Sequence, residues 1–153
     1  MKNAALFFAL ALAVVAANCS KSDNKETSVC ENGVTEFALN EPFYLCYGTE
    51  ANLEGDESFV LSFNALYGES RCPVDSLALC FWEGRADVGF SATISDVTQS
   101  DTLSAAGLSN QTFADSIIFA NYKIRLLAIE PYPTAANSPI PKEDYKIKLL
   151  VTQ

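Results

Sequence analysis

The sequence predicts an all-β domain, an immunoglobulin-like antiparallel β-sandwich of about seven strands, with a small β-barrel as the alternative architecture. Three observations predict it. Apolar residues recur with period two from Thr35 onward, clusters of Gly, Pro, Asn and Asp punctuate those runs, and helical periodicity is nearly absent. The chain has 153 residues of which 49% are apolar, enough for one sizeable core.

The runs come in order. "TEFALN" sets Phe37 and Leu39 against polar neighbours, and "FYLCYGT" follows Pro42. "SFVLSFNALY" places Phe59, Leu61, Phe63, Ala65 and Tyr67 on one face, because side chains two apart share a side of a strand. "LALCFW" is a short apolar run, and "ADVGFSATIS" aligns Val88, Phe90, Ala92 and Ile94. "YKIRLLAIE" and "YKIKLLVT" alternate apolar with basic residues before turning fully apolar. Turn signals lie between them, among them "EGDE" at 54–57, which reads as a solvated hairpin tip because it lacks the ligand order of a calcium loop. Residues 96–118 fit the scheme least. They are expected to hold a short helix around Thr102–Ala106 or a long crossover, with "DSIIFAN" as a further strand.

Charge and residue choice narrow the function. Acidic residues outnumber basic ones 19 to 10, a formal charge of -9. Phosphate backbones need a cationic face, so nucleic acid is not an expected partner, and the same balance argues against direct docking of the folded domain on anionic headgroups. There is no histidine. That removes the usual general base, the Ser-His-Asp and Cys-His arrangements and the commonest transition-metal ligand. No phosphate loop, dinucleotide fingerprint or H-E-x-x-H stretch occurs. The expectation is a chain without catalytic residues, cofactor or metal.

The N-terminus carries an address. "MKNAALFFALALAVVAANCS" has a positive Lys2 and an apolar run from Ala4 to Ala17 that is short for a membrane span, the pattern of an export signal. Cleavage after Ala17 is one possibility; alternatively "AANC" resembles a bacterial lipobox, which implies cleavage before Cys19 and lipid on its sulfur. The domain plan is then a signal peptide over 1–18, a lipidated cysteine with a polar tether over 19–34, and a β-domain over 35–153. Ser20 does not match the inner-membrane retention rule, so the expected location is the outer membrane or cell surface.

The five cysteines agree with this. An exported protein rarely keeps a free thiol, and giving Cys19 to lipid leaves an even set. Seven residues separate Cys72 from Cys80, unlike a C-x-x-C redox pair, and a zinc site would need all four remaining cysteines at spacings unlike a zinc knuckle. Of the three connectivities open to four cysteines, Cys72–Cys80 with Cys30–Cys46 is expected. Pro73 suits a turn into a strand, and Trp82, two residues beyond Cys80, is expected to pack as core. Arg71 is expected to be structural, stacked on Trp82 or paired with Glu69 or Glu83; a ligand-binding arginine is the alternative.

"ESRCP" followed by "CFWEGRA" resembles a signature, D-S-R-C-P then C-x-W-x-G-x-A, of uncharacterised bacterial (Bacteroidetes-type) surface lipoproteins. Their endings also resemble Tyr122–Pro133 and Tyr145–Val151. Glu69 stands where aspartate is usual, and the interval between the cysteines is longer. The resemblance implies an envelope location and a sandwich fold, and no activity. "DSL", "DTL" and "DSI" resemble the O-glycosylation acceptor of such bacteria, which makes Ser76, Thr102 and Ser116 candidate attachment points; chance use of turn residues is the alternative, favoured for Ser76, which lies between the cysteines.

Three functions follow. The first is a lipid-anchored recognition or structural module contacting a protein or glycan of the envelope through loops at one end. The second is an inhibitor of secreted proteases that uses the 95–118 or the proline-rich 131–141 loop. The third is a hydrolase working with carboxylates alone.

Overall fold

A computed structural model describes residue 30 and residues 32–75, 80–106 and 114–153. The export signal, Cys19, all of the tether region except 30 and 32–34, and Ser76 lie outside the described residues.

Among the described residues, nine strands form two sheets. β1 (Glu36–Phe37), β3 (Glu50–Leu53), β4 (Asp56–Glu69), β5 (Arg85–Ile94) and β6 (Val97–Ala106) make one, in the order β1-β3-β4-β5-β6. β2 (Phe43–Cys46), β7 (Ser116–Phe119), β8 (Tyr122–Glu130) and β9 (Lys146–Thr152) make the other, in the order β2-β9-β8-β7. All named pairs are antiparallel except β1 with β3. Neither sheet closes on itself, so the domain is a β-sandwich and not a barrel.

The period-two pattern explains why the layers meet. Phe59, Leu61 and Phe63 of β4 and Val88, Phe90 and Ala92 of β5 are buried, and they join Leu45, Ile124, Leu126, Ile147, Leu149 and Val151 from the facing sheet in one cluster. Each large side chain withdrawn from water stabilises by roughly 1.5–3 kcal/mol, so this cluster is the main favourable term. Phe37 stacks on Phe43 with ring centroids 4.7 Å apart and meets Phe59 edge-on at 5.4 Å, sealing the corner where β1 and β2 diverge into different sheets. The "EGDE" stretch is the β3–β4 turn: Gly55 takes φ +78°, and Asp56 accepts from the backbone N–H and the hydroxyl of Ser58. Those bonds, the hydroxyl's first, hold the Asp56 carboxyl below its ordinary range.

Three expectations are corrected. Tyr67 does not share the buried face of Phe59, because the β4 register shifts between Phe63 and Ala65 and again between Leu66 and Gly68. Such bulges reset the alternation, leaving Tyr67 exposed with its ring across Gly89. Thr102–Ala106 is not helical; it completes β6, which pairs with β5 without interruption from Arg85↔Ala106 to Ile94↔Val97. A ten-residue ladder outweighs weak local preference. Finally, Cys80, Phe81 and Trp82 belong to no strand, and β5 starts only at Arg85.

Candidate functional site

The segment between β4 and β5 departs from the sandwich at one end and carries most of the unusual chemistry. Its base continues the β4–β5 ladder, with Ser70 N–H bonded to the Arg85 carbonyl at 2.9 Å and Cys72 N–H to that of Glu83 at 3.0 Å. Gly84 makes this approach possible. It takes φ +68°, and a Cβ there would stand 1.8 Å from the Ser70 carbonyl oxygen, so no other residue fits. Cys72 and Cys80 close the loop as a disulfide with Cα atoms 6.1 Å apart.

Arg71 lies beneath that loop, 5% exposed. Its Nε donates to both Glu69 carboxylate oxygens at 2.9 and 3.0 Å, and Nη2 donates to Glu69 Oε2 as well, a bidentate fork. Nη1 donates to the Ile129 carbonyl at 2.6 Å and Nη2 to that of Pro131 at 3.2 Å. Glu69 ends β4 and Ile129 lies in β8, so one guanidinium ties the two sheets together. The Tyr132 ring lies under it, 4.7 Å from centroid to Cζ, and Tyr145 donates its hydroxyl to Glu69 at 3.2 Å. Burial, then the charge and hydrogen bond of Glu69, push the Tyr145 hydroxyl up to about 12, with Arg71 opposing. Burial also raises Tyr132.

Trp82 is not part of this arrangement. It was expected in the core; instead it is 65% exposed, and its neighbour Phe81 is fully exposed at 102%. Of the roles expected for Arg71, the pairing with Glu69 is the one found, and stacking on Trp82 is not. With no strand at 80–82 there is no sheet face to turn them inward, and Tyr132 and Tyr145 occupy the space around Arg71. Val74, on the same loop, is also exposed.

A second loop braces the first. Val74 N–H donates to the Pro133 carbonyl at 3.2 Å, and Ala135 N–H to the Asp75 carboxylate at 2.5 Å. Within the second loop Thr134 N–H donates to Asn137 Oδ1, and Asn137 N–H to Thr134 Oγ1 at 3.1 Å. Residues 135–139 form an exposed tip. Beside the two loops a concavity of about 480 Å³ is lined by Arg71, Ala106, Leu127, Ile129, Pro131 and Tyr132. The Tyr132 hydroxyl is buried without a hydrogen-bond partner among the described residues.

Cys30 and Cys46 form the other disulfide, with Cα atoms 5.9 Å apart, and it fixes the start of the domain to β2. Gly33 is required beside it, since a Cβ there would meet Cys46 Sγ at 2.2 Å. Thr102 is exposed on β6, while Ser116 is half-buried in β7 with its hydroxyl donating to Asp115 at 3.2 Å. Among the described residues, no cluster of three or more His, Cys, Asp or Glu could hold a metal ion, and no helix is long and apolar enough to cross a membrane.

Comparisons with protein-family models, with curated proteins and with solved structures find no match to this chain. The function therefore has to be read from the site itself. Phe81, Tyr132 and Tyr145 were not singled out by sequence reasoning. The available signal for Phe81 was Gly84: a glycine three residues after Phe81 marks a turn, and aromatic residues before a turn need not face a core. Tyr132 and Tyr145 reach Arg71 through contacts distant in sequence, which no local pattern reveals.

Proposed function

We propose that the chain is a lipid-anchored, non-catalytic recognition module of the cell envelope, held to the outer membrane through Cys19 and engaging a protein or glycan partner with the loop end of its sandwich. The observation that carries this reading is the exposure of Phe81 and Trp82 on a loop that a disulfide, Gly84 and the 131–139 loop hold in place. Aromatic side chains dominate binding energy at interfaces, and an anchor already fixed in its bound shape loses little entropy on docking. The buried half of the same segment supports it: Arg71 makes internal contacts to both sheets, which leaves the outward aromatics as the part able to meet a partner.

Anchoring supports the reading from the other end. A module on a polar tether explores a small volume beside the membrane, which raises its effective concentration toward envelope components. The double substitution Phe81→Ala with Trp82→Ala tests the reading in pull-downs from envelope extract. The expected result is retention of specific partners by the wild-type chain and their loss from the variant with thermal stability unchanged. Identical capture by both proteins would refute it. Intact mass of the native protein tests the anchor separately, through acylation of Cys19.

A second reading, inhibition of a secreted protease, is favoured by the exposed 135–139 tip, because substrate-like inhibition needs an exposed loop that does not relax when cut. The Asp75 and Thr134–Asn137 contacts supply such bracing. Absence of inhibition across serine and cysteine proteases at micromolar protein would end it.

A further inference from the structure

The charge of the whole chain hides a segregation. On the outer face of the four-stranded sheet, β8 carries Lys123 and Arg125 opposite Thr152 and Leu150, and β9 carries Lys146 and Lys148 opposite Glu130 and Ala128, four of the chain's ten Lys and Arg residues spread along one face. Among the outward positions of this sheet Glu130 is the single acidic residue, bonded to Tyr44 and paired with Lys146 at 3.8 Å. Asp115 reaches Arg125 from the start of β7. The ammonium groups of Lys146 and Lys148 lie over the Tyr44 ring at 4.7 and 5.3 Å, which holds both against the sheet. Ile118, 72% exposed, follows next to Lys123 in the β7–β8 pairing.

We infer that this basic face docks on an anionic lipid bilayer, with Ile118 reaching the headgroup boundary. Three arguments single out a bilayer. The face carries an excess of positive charge in a protein whose formal charge is -9, so its attraction to anions is local. Glu50, Asp87 and Asp101 belong to the other sheet, and the layers of a sandwich are about 10 Å apart. That is about one Debye length at moderate salt, so repulsion from the far side is largely screened at the surface. The chain also runs alongside β2, the edge strand of this same sheet, before it reaches β1: Cys30 is bonded to Cys46, and Val34 N–H donates to the Tyr44 carbonyl at 3.0 Å. Only residues 20–29 separate Cys30 from Cys19, a reach of about 35 Å when fully extended. A lipid on Cys19 would thus keep this face beside the bilayer. The attraction itself rests on the face and not on the anchor.

The test uses the exported chain carrying Cys19→Ala, which cannot be acylated, sedimented with vesicles of pure phosphatidylcholine or of phosphatidylcholine with phosphatidylglycerol. The expected result is binding to the anionic vesicles at about 0.1 M salt, where the Debye length is about 10 Å, release at about 1 M, and none to the neutral ones. Lys123→Gln with Lys148→Gln removes two cations and should weaken binding about 25-fold, since each contributes about fivefold near such a surface. An unchanged melting temperature shows that this variant is folded. Absence of binding to anionic vesicles, equal binding to both kinds, or a double variant that binds like wild type would overturn the inference. So would binding of soluble inositol hexaphosphate by a protein that ignores the vesicles. Acylation of the native protein is read by mass and stands or falls separately.

Discussion

Arg71 and Trp82 lie on the same short loop segment, on either side of its disulfide, yet they have opposite fates. Arg71 is buried, and its donors go to a carboxylate on one sheet and to carbonyls at and just past the end of β8 in the other. Trp82 faces solvent beside Phe81. A charged side chain went inside because a fork of donors could be satisfied there, whereas the largest apolar side chain stayed outside because no strand existed to carry it inward. Hydrophobicity alone would order the two the other way. Interior position follows from whether a site completes the groups brought to it.

The largest effect should come from breaking the buried member. Arg71→Ala leaves the Glu69 carboxylate without its guanidinium and removes the tie between the sheets, so a loss of about 3–5 kcal/mol is expected in urea unfolding. Replacing both partners, Glu69→Gln with Arg71→Met, should cost less than Arg71→Ala alone, because no uncompensated charge remains. A double variant as unstable as the single one would show that the carbonyl contacts to Ile129 and Pro131, and not the ion pair, hold the sheets together.

The disulfides come next. Removing Cys30–Cys46, with a sequence separation of 16, should cost about 3 kcal/mol, and removing Cys72–Cys80, with a separation of 8, about 2.5 kcal/mol, on the chain-entropy account. Their consequences should differ more than their energies do. Loss of Cys72–Cys80 frees the loop bearing Phe81 and Trp82, so partner capture should fall with stability, whereas Cys30→Ser with Cys46→Ser should lower stability and leave capture intact at temperatures where the domain is folded.

Much of the fold was legible because the core strands follow a rule that operates within a few residues. Val88, Phe90 and Ala92 could be assigned to one side by counting in twos, and the two closing strands likewise. What escaped was everything decided between distant segments. The bulges of β4 are set by its pairing with β5, and they turned Tyr67 outward. The β6 ladder overrode a stretch that locally resembles a helix start. At the site, the glutamate beside Arg71 was readable because it lies two residues away, but Tyr132 and Tyr145 were not. The charged face was hidden for the same reason: "YKIRL" and "YKIKL" each look merely amphipathic, and only their pairing places Lys123, Arg125, Lys146 and Lys148 on one surface. A sum over the chain cannot show such an asymmetry.

Tyr145 sharpens the comparison through pH. Its hydroxyl is pushed up to about 12 in the folded state against an ordinary value of 10, so between these values the unfolded chain has released a proton that the folded one retains. The folded state then binds more protons, and stability falls as pH rises through that window, having been fully present below 10. Urea midpoints should therefore decline in alkaline solution, and Tyr145→Phe should flatten the decline while lowering stability near neutrality through loss of the bond to Glu69. A slope unchanged by that substitution would move the origin to Tyr132 or Tyr44, whose hydroxyls are also raised.

The smallest stability effect is expected at Trp82, and its smallness is the point. An exposed side chain that, among the described residues, belongs to no ladder and no core cluster has little to lose on truncation, so Trp82→Ala should change unfolding free energy by about 0.5 kcal/mol or less. Were Trp82 instead packed over Arg71, the same change would open a cavity and cost about 3–5 kcal/mol. Fluorescence gives an independent reading, since the chain has one tryptophan: an outward indole emits at long wavelength and is quenched by iodide in the native protein. A blue-shifted, quencher-resistant emission would place Trp82 inside and remove the exposed aromatic pair on which recognition by the loop end depends. Red emission together with a negligible stability loss would leave contact with a partner as the role for this side chain, and the pair of residues would then divide cleanly into a brace and a display.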